Sequence, residues 1–411
     1  MGGKIKLNVA WRLILVIIVL VVKFYCVVLD RLDIRLSLAY IVPFPELIDK
    51  NSGYHSGIPD SSIVDIRRIK WANKPLITEH TLVINDNFLF SNFGKIHQER
   101  TNTNNNTIYH LQGCFVSGTG AIFYNGKFIR SPFVIPQLTW LYQPFTGPVV
   151  AAKDVVVSVG HTATSIFGHF IQDGLSPLMQ IPSDILKEAT VTIRTEKRLI
   201  DEFFPKLNIS KEVLNLGSNQ WVFARNLYIN LCPRPHMVHL GPTFRKLTLY
   251  IREKFKTSGI VPSRYIISQR KTTSRFINNF EELFNAVKTT YPKYPWEKDL
   301  QTPRPLDQTI KIWSAAKVFY AVAGSNYFNC VFFPQSVVAI IVFSDTFDYS
   351  TLLTLSSNNY RTVLYQEPTM KHFKKMINNF NIPRALFAFK LALYASENNA
   401  WPNEPNTALF R

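Results

Sequence analysis

Three short segments of the sequence carry side chains whose types and spacing could do chemistry. The first is GHFIQDGLSPL at residues 168–178, in which His169 and Asp173 are separated by four positions. On a helix these two side chains share a face, so Asp173 can orient His169 for proton abstraction from a hydroxyl. The alternative is an ordinary solvated polar face, because Gln172 and Ser176 lie on the same side of the helical wheel.

The second segment, YIISQRKTTSRFINNFEEL at residues 265–283, places Arg270, Lys271 and Arg275 between a predicted strand and a predicted helix. Cations at this position gather at the carboxyl edge of a sheet, where a diphosphate can take charge-assisted hydrogen bonds from arginines and backbone donors from a helix start. A solvated basic loop explains the same residues equally well. The segment therefore predicts either an anion site or a polar surface loop.

The third segment, AVAGSNYFNCVFFP at residues 321–334, is a predicted strand that runs into Gly324, Ser325 and Asn326. Glycine lets the backbone approach a ligand closely, and the helix start that follows favours negative charge. The segment matches neither a P-loop nor the GxGxxG pattern. His161 also follows a buried-type strand, DVVVSVG, where it is either a ligand-site residue or a loop histidine.

The elements that must position these segments alternate between strand and helix from about residue 151 onward. DVVVSVG, ATVTIR and WVFARNLYIN form one block with their helices, and RYIISQ, KVFYAVAG and VVAIIVF form a second. Such alternation predicts an α/β fold with two doubly wound lobes that face a cleft. Residues 62–150 are strand-rich instead, with a hairpin expected at Tyr124-Asn125-Gly126-Lys127.

The N-terminus predicts a membrane anchor. Residues 13–29 are apolar except for Lys23, and Lys4, Lys6 and Arg12 precede them. A cleaved signal peptide and a buried core helix are the alternatives, but no small-residue cleavage pattern follows the run. Positive charge ahead of the span predicts a type II protein, with a cytoplasmic tail at 1–12 and a Pro- and Gly-rich stem at 30–61.

Composition excludes several classes of protein. The 411 residues are 46% hydrophobic and 13% aromatic, which excludes a disordered chain, and the net charge of +18 suits a polyanion, an anionic membrane face or a phosphate-bearing ligand. The basic residues are scattered rather than arranged in a stripe, so we do not expect nucleic acid as a partner.

Cysteine usage predicts neither a disulfide scaffold nor a zinc site. Cys26 lies in the predicted anchor, so Cys114, Cys232 and Cys330 allow one disulfide at most. The sequons at Asn105 and Asn208 are candidates for glycosylation if the body of the protein is luminal.

In order and spacing, the three segments resemble glycosyltransferase family 61, over residues of about 155–345. GHFIQDGLSPL resembles the family's His-x(3)-Asp motif, YIISQRKTTSRFINNFEEL its arginine block, and LDQTIKIWSAAKVFYAVAGSNYFNCVFFP its Gln-bearing helix, strand and Gly-rich turn. The resemblance implies a GT-B-like architecture, inverting transfer from a nucleotide sugar to a glycan or protein hydroxyl, and a single-pass Golgi or endoplasmic reticulum membrane protein. No metal or other cofactor is implied, because no persuasive Asp-x-Asp motif is present.

The resemblance also implies roles for individual residues. His169 and Asp173 would face the acceptor as catalytic residues, Arg270 and Arg275 would hold the diphosphate of the donor, and the nucleotide pocket would be lined by Gln308, Gly324, Ser325 and Asn326. The lobes implied are an N-terminal one at 62–256, elaborated by the strands of 62–150, and a C-terminal nucleotide-sugar-binding one at 257–411.

Two segments depart from the family pattern. Ala323 stands where the family usually has a histidine, and Ala339, Ile340 and Ile341 occupy the strand on which it tends to carry a glutamate. Ser344 or Asp345 could supply the missing ribose contact. These departures leave a second hypothesis open, a catalytically inactive GT-B-like membrane protein that binds a glycan or a nucleotide. In a third, the basic surface serves an anionic glycan or lipid headgroups.

Overall fold

The computed structural model describes residues 63–69, 80–84, 106–124, 127–129, 148–160, 163–217, 220–230, 241–271, 274–301, 304–371 and 379–409. The expected anchor at 13–29, the stem at 30–61, Asn105, His161 and Cys232 lie outside these ranges. Within the described ranges, no helix has the length and apolarity needed to cross a membrane.

The first of two β-sheets combines a parallel half with an antiparallel extension. Its strands are β1 (Ile63–Ile69), β3 (Asn106–Ser117), β4 (Ile122–Tyr124), β5 (Lys127–Ile129), β6 (Val149–Ser158), β7 (Thr190–Ile193), β8 (Glu212–Asn215) and β9 (Trp221–Asn230). They lie in the order β5-β4-β3-β9-β6-β7-β8, and β1 pairs with β3. Strands β9, β6, β7 and β8 are parallel, whereas β3 runs antiparallel to β9.

Four described strands of the segment 62–150, β1, β3, β4 and β5, therefore extend this sheet. The expected hairpin is confirmed, because Tyr124 pairs with Lys127 across a two-residue loop.

The second sheet contains β2 (Thr81–Ile84), β10 (Arg264–Ser268), β11 (Trp296–Asp299), β12 (Ala316–Val322), β13 (Val338–Phe343), β14 (Arg361–Gln366) and β15 (Thr407–Leu409). Its order is β11-β10-β12-β13-β14-β2-β15, and every pairing is parallel except that of β15 with β2. The assignment of all of 62–256 to the N-terminal lobe is corrected here for β2. Its four residues are buried, and they complete the second sheet beside β14.

The order of the second sheet identifies where a ligand should bind. Of its consecutive parallel strands, β11 lies on one side of β10, and β12, β13 and β14 follow on the other. The chain thus changes direction between β10 and β12. In open parallel sheets, ligands bind at the carboxyl ends of the strands at such a switch point.

Helices cover both faces of the second sheet. The α-helices of the described residues are α1 (Phe167–His169), α2 (Ser183–Glu188), α3 (Lys197–Leu207), α4 (Pro242–Lys254), α5 (Phe280–Thr290), α6 (Leu306–Trp313), α7 (Tyr349–Ser356) and α8 (Ile382–Asn398). Those that cover the second sheet are α5 to α8, together with a 3₁₀ helix at Ser325–Phe332. Alternate residues of each strand point to opposite faces. Tyr320 and Ile340 pack with α5 and α8, while Phe319 and Ile341 pack with α6, α7 and the 3₁₀ helix.

One hydrophobic core joins the two sheets. Its members include Val157 and Ile193 of the first sheet and Phe319 of the second. Between them the ring of Phe203 lies 5.3 Å from that of Phe170 and 6.3 Å from that of Phe332, measured between centroids. The expectation of two blocks is confirmed for the sheets, but these blocks pack against each other over a shared interior.

Tyr327 attaches the 3₁₀ helix to the second sheet. Its hydroxyl is fully buried, accepts a hydrogen bond from the backbone N–H of Ala321 at 3.1 Å, and lies 2.9 Å from the Ala321 carbonyl and close to that of Ile340. The hydroxyl therefore connects β12, β13 and the helix that follows Gly324.

We expect Tyr327→Phe to lower the free energy of unfolding by about 1–3 kcal/mol, because the buried backbone groups of β12 lose their hydroxyl partner. Urea denaturation of the full-length protein measures this change. Tyr394→Phe is the matched control, since Tyr394 is 43% exposed on α8. Equal effects of the two substitutions would contradict the assigned role.

Candidate functional site

The segment with His169 and Asp173 is helical, but it is not one regular helix. It passes from α1 into a π-helix at Phe170–Leu175 and then into a 3₁₀ helix at Ser176–Gln180. Such π turns are rare and frequently occur at functional sites. The polar side of the segment is buried along with the apolar side, since Gln172 is 1% exposed and Asp173 is 3% exposed. The interpretation of this side as a solvated polar face is therefore wrong.

His169 and Asp173 form a hydrogen-bonded pair. Nδ1 of His169 lies 2.7 Å from Oδ2 of Asp173, and Nε2 of Gln172 donates to the other carboxylate oxygen at 2.9 Å. A carboxylate at Nδ1 favours the tautomer with its proton there, so the lone pair is on Nε2. The His169 side chain keeps 26% of its surface exposed, whereas that of Asp173 keeps 1%. The pair can thus present a base to a ligand while its carboxylate stays buried.

Arg270 and Arg275 meet at Gly324, at the switch point between β10 and β12. Gly324 has φ +146°, and a Cβ atom added there would lie 2.6 Å from Nη1 of Arg270 and 3.0 Å from Nη1 of Arg275. Arg275 also donates from Nη1 to the carbonyl of Ala323. Glycine is required here because both the backbone angle and the two guanidinium groups exclude a side chain.

The two arginines form a site with an excess of positive charge. Burial lowers the pKa of Arg270, and burial together with the charge of Arg270 lowers the pKa of Arg275 to about 10. Both side chains therefore remain cationic at neutral pH. Asp348 opposes both shifts, with a carboxylate oxygen 3.8 Å from Nη1 of Arg275.

The Nε atoms of both arginines are buried and have no hydrogen-bond partner among the described residues. Two desolvated cations that share one carboxylate and keep unused donors suit a bound anion with more than one negative charge.

A buried polar network lies beside the same turn. Asn326 donates from Nδ2 to Oγ of Ser268 at 2.8 Å, and Ser268 donates in turn to Oδ2 of Asp299 at 2.9 Å. Arg304 pairs with the other oxygen of Asp299. Because Ser268 and Asp299 end β10 and β11, this network fixes the turn against the carboxyl edge of the sheet.

The His169 segment packs directly against the turn. A Cβ atom added at Gly168 would come within 2.9 Å of the Phe328 ring and 3.2 Å of Oγ of Ser325. The fold therefore brings together the three segments that sequence analysis singled out. Ala323, which stands where a histidine was expected, is 1% exposed.

Gln308, which the family resemblance places in a nucleotide pocket, does not contribute to this arrangement. It is exposed on α6, where the neighbouring Thr309 faces the pocket beside Asn326. Sequence spacing did not resolve which side of α6 faces inward.

The remaining expected residues lie apart from the turn. Asn208 is exposed and ends α3 with φ 49°. Ser344 and Asp345 follow β13, where Asp345 pairs with Lys371 at 3.3 Å. Cys114 and Cys330 are buried free thiols, and burial raises the pKa of each, that of Cys114 to about 12.

Three acidic residues at the carboxyl edge of the second sheet were missed. Asp299 ends β11, Asp348 precedes α7, and Glu367 follows β14. Asp348 is an N-cap whose side chain accepts from the backbone N–H of Thr351 at 3.3 Å, and the Asp-Tyr-Ser-Thr order ahead of an apolar run was the available signal. No group of three or more potential metal ligands (His, Cys, Asp, Glu) occurs within the described part of the chain.

Comparisons with known proteins bear on the same part of the chain. Residues 167–340 match the family model described as Glycosyltransferase 61. No curated protein matches the sequence. Among solved structures, the dodecameric iron-containing heptosyltransferase TibC, in complex with ADP-D-beta-D-heptose, is 11% identical, with 71% of this chain and 82% of that chain covered and a TM-score of 0.34. At that TM-score, the similarity does not bear on the activity of this chain.

We expect Gly324→Ala to weaken the binding of inorganic pyrophosphate by tenfold or more, because the added methyl displaces the guanidinium groups. Isothermal titration measures the affinity. Gly259→Ala is the matched control, since Gly259 also has a positive φ, of +91°, but an added Cβ meets no atom within 4 Å. A loss of affinity that is equal in both variants would show that backbone strain alone is responsible.

Glu367 provides a prediction for pH. It is 4% exposed, and burial raises its pKa to about 7, against the smaller opposing effects of the Asn381 N–H and of Arg384. The folded state therefore holds this proton more tightly than the unfolded state does, so the contribution of Glu367 to stability falls as pH rises from about 4.5 to 7. As pH rises, this loss of stability lowers the melting temperature. Glutamine has no proton to lose in this range, so in Glu367→Gln that part of the decrease should disappear. An unchanged pH profile in the variant would show that Glu367 does not titrate in this range.

Proposed function

We propose, from the match of residues 167–340 to the glycosyltransferase 61 family model, that the chain is an inverting glycosyltransferase that uses a nucleotide sugar as donor. The observation that carries the proposal is the buried pair of arginines at the Gly324 turn. The leaving group of a nucleotide sugar is a nucleoside diphosphate, and the negative charge of that anion complements the positive charge of this site. The architecture that we propose for the two α/β halves is GT-B-like.

Arg270 and Arg275 stabilise the leaving group in this proposal. As the bond between the anomeric carbon and the phosphate oxygen breaks, negative charge accumulates on the diphosphate beside the two guanidinium groups. Both side chains are already desolvated, and Asp348 and the Ala323 carbonyl position Arg275, so the pair needs little reorganisation during the reaction. Their charge serves the purpose that a divalent cation serves in other transferases. Asn326 and Ser325 complete the donor side of the turn.

His169 acts as the general base for the acceptor hydroxyl. Nε2 takes the hydroxyl proton while the acceptor oxygen forms its bond to the anomeric carbon, and the diphosphate leaves from the opposite side of that carbon. Asp173 holds Nδ1 and stabilises the imidazolium that results. One displacement of this kind inverts the anomeric configuration. The acceptor is a glycan or a serine or threonine side chain.

We further propose that the protein is a type II membrane protein of the Golgi or endoplasmic reticulum, with its catalytic part in the lumen. The apolar run at 13–29 and the basic residues ahead of it support this placement. The sequon at Asn208 is compatible with glycosylation because Asn208 is exposed. Nucleotide sugar, acceptor and membrane are thus the proposed partners.

The test uses the full-length protein with a panel of nucleotide sugars and measures the release of nucleoside diphosphate. We expect His169→Ala to lower kcat by about 10²–10⁴-fold with little change in nucleotide affinity, because it removes the base and leaves the donor site intact. Arg270→Ala should lose both nucleotide affinity and turnover. Lys271→Ala is the matched control, since Lys271 is adjacent and exposed.

The outcomes separate the proposal from its alternatives. Nucleotide binding that depends on Arg270, without release from any donor, would favour an inactive binding protein, as the alanine at position 323 suggests. Nucleotide affinity that is unaffected by Arg270→Ala would contradict the donor site itself.

A further inference from the structure

The pocket beside Asn326, distinct from the arginine site, lies between the first half of the chain and the second. It has a volume of about 240 Å³, and its walls come from α3, β11, α6 and the 3₁₀ helix at Ser325–Phe332. It shares Ser325 and Asn326 with the Gly324 turn but contains neither Arg270 nor Arg275. A ligand bound here would therefore adjoin the donor without occupying the diphosphate site.

The charges of this pocket balance, unlike those of the arginine site. From α3, Arg198 lies 3.8 Å from Glu202, and Arg304 pairs with Asp299 at the end of β11. Two cations and two carboxylates do not favour an anion. They do offer hydrogen-bond donors and acceptors side by side.

A sugar hydroxyl both donates and accepts hydrogen bonds, so a ring with adjacent hydroxyls matches such paired groups. Thr309 adds a hydroxyl to the wall, and the half-buried ring of Phe167 adds an apolar surface. The volume is below the ~300–1,000 Å³ of pockets for drug-sized ligands, which suits a single ring. Asp299 and Asn326 are held in place by Ser268, so the polar wall is already arranged for a ligand.

We propose that this pocket binds one sugar ring of a saccharide acceptor and thereby selects a glycan over an unmodified protein hydroxyl. The proposal rests on the proposed function, because an acceptor has meaning only for a transferase. Glu202 and Asp299 accept hydrogen bonds from ring hydroxyls, and Arg198 and Arg304 donate to them. Phe167 packs against the apolar face of the ring.

The experiment measures binding of a panel of methyl glycosides (of glucose, galactose, mannose, xylose, arabinose and N-acetylglucosamine) to the full-length protein by saturation-transfer NMR. UDP and GDP are titrated in parallel by calorimetry. Glu202→Gln should weaken the bound glycoside about tenfold, because a charge-assisted hydrogen bond is lost. Asp201→Asn is its control, since Asp201 is exposed and pairs with Lys197 on the same helix.

A second pair of variants tests the pocket by its volume and does not rely on the loss of one hydrogen bond. Thr309→Trp should abolish glycoside binding, whereas Lys311→Trp, at an exposed position of the same helix, should leave it unchanged. Nucleotide affinity should stay within twofold of the unmodified protein in all four variants. Circular dichroism melting confirms that each variant is folded.

Two results would overturn the proposal. If Thr309→Trp abolishes nucleotide binding, the pocket belongs to the nucleoside of the donor. If no glycoside binds while UDP or GDP does, the pocket is not a saccharide site. Failure of the transferase proposal is distinguishable from both, because in that case nucleotide affinity would be absent or would not respond to Arg270→Ala.

Discussion

The close approach of two buried arginines to the backbone at Gly324 is the constraint on which the rest of the site depends. Each guanidinium group loses solvation on burial, and each repels the other, yet both remain charged at neutral pH. Asp348 compensates only part of this charge. Such a pair is stable when the surrounding structure fixes it, and it gains most when an anion binds. Any residue with a Cβ at position 324 would separate the arginines from the turn.

The second sheet meets this constraint through its strand order. β10 and β12 are neighbours in the sheet although β11 lies between them in sequence, so the loops that follow β10 and β12 face each other. Arg270 and Arg275 come from one loop and Gly324 from the other. The 3₁₀ helix begins at Ser325, directly after Gly324, and Tyr327 holds it there by its contacts with β12 and β13. On the opposite side of that helix, Gly168 leaves room for Phe328 and Ser325, which brings the His169 segment to the turn.

Sequence patterns located the strands well because parallel strands buried on both faces are continuous apolar runs. The run VVAIIVF corresponds to β13, which is buried at every position. WVFARNLYIN corresponds to β9, which contains the exposed Arg225, and its place in the alternation of strands and helices located it. The pattern could not assign β2, because four apolar residues do not specify a partner strand. The helical wheel placed Gln172 and Asp173 on one side correctly. It could not show that a second layer buries that side, because burial depends on contacts between distant segments.

The same reasoning explains which site residues could be predicted from the sequence. His169, Arg270, Arg275 and Gly324 stand beside recognisable strands and helices, so their neighbourhood followed from topology. Gln308 and Thr309 are adjacent on α6, so their side chains point in directions about 100° apart. The sequence does not show which of the two faces the pocket. Asp299 and Asp348 are single carboxylates in short segments, and only the folded sheet gives them partners.

The two adjoining sites differ in charge balance, and that difference gives the enzyme a physical means to bind donor and acceptor in separate sites. The arginine site has an excess of positive charge, so an anionic donor gains Coulombic energy there that a neutral saccharide does not. The pocket beside it pairs each arginine with a carboxylate, so a diphosphate would meet Glu202 and Asp299 as well as the cations. A neutral ring avoids that repulsion and uses both kinds of group. Since Ser325 and Asn326 border both sites, the two ligands would lie side by side at the turn, on the segment that packs against Gly168 and so next to His169.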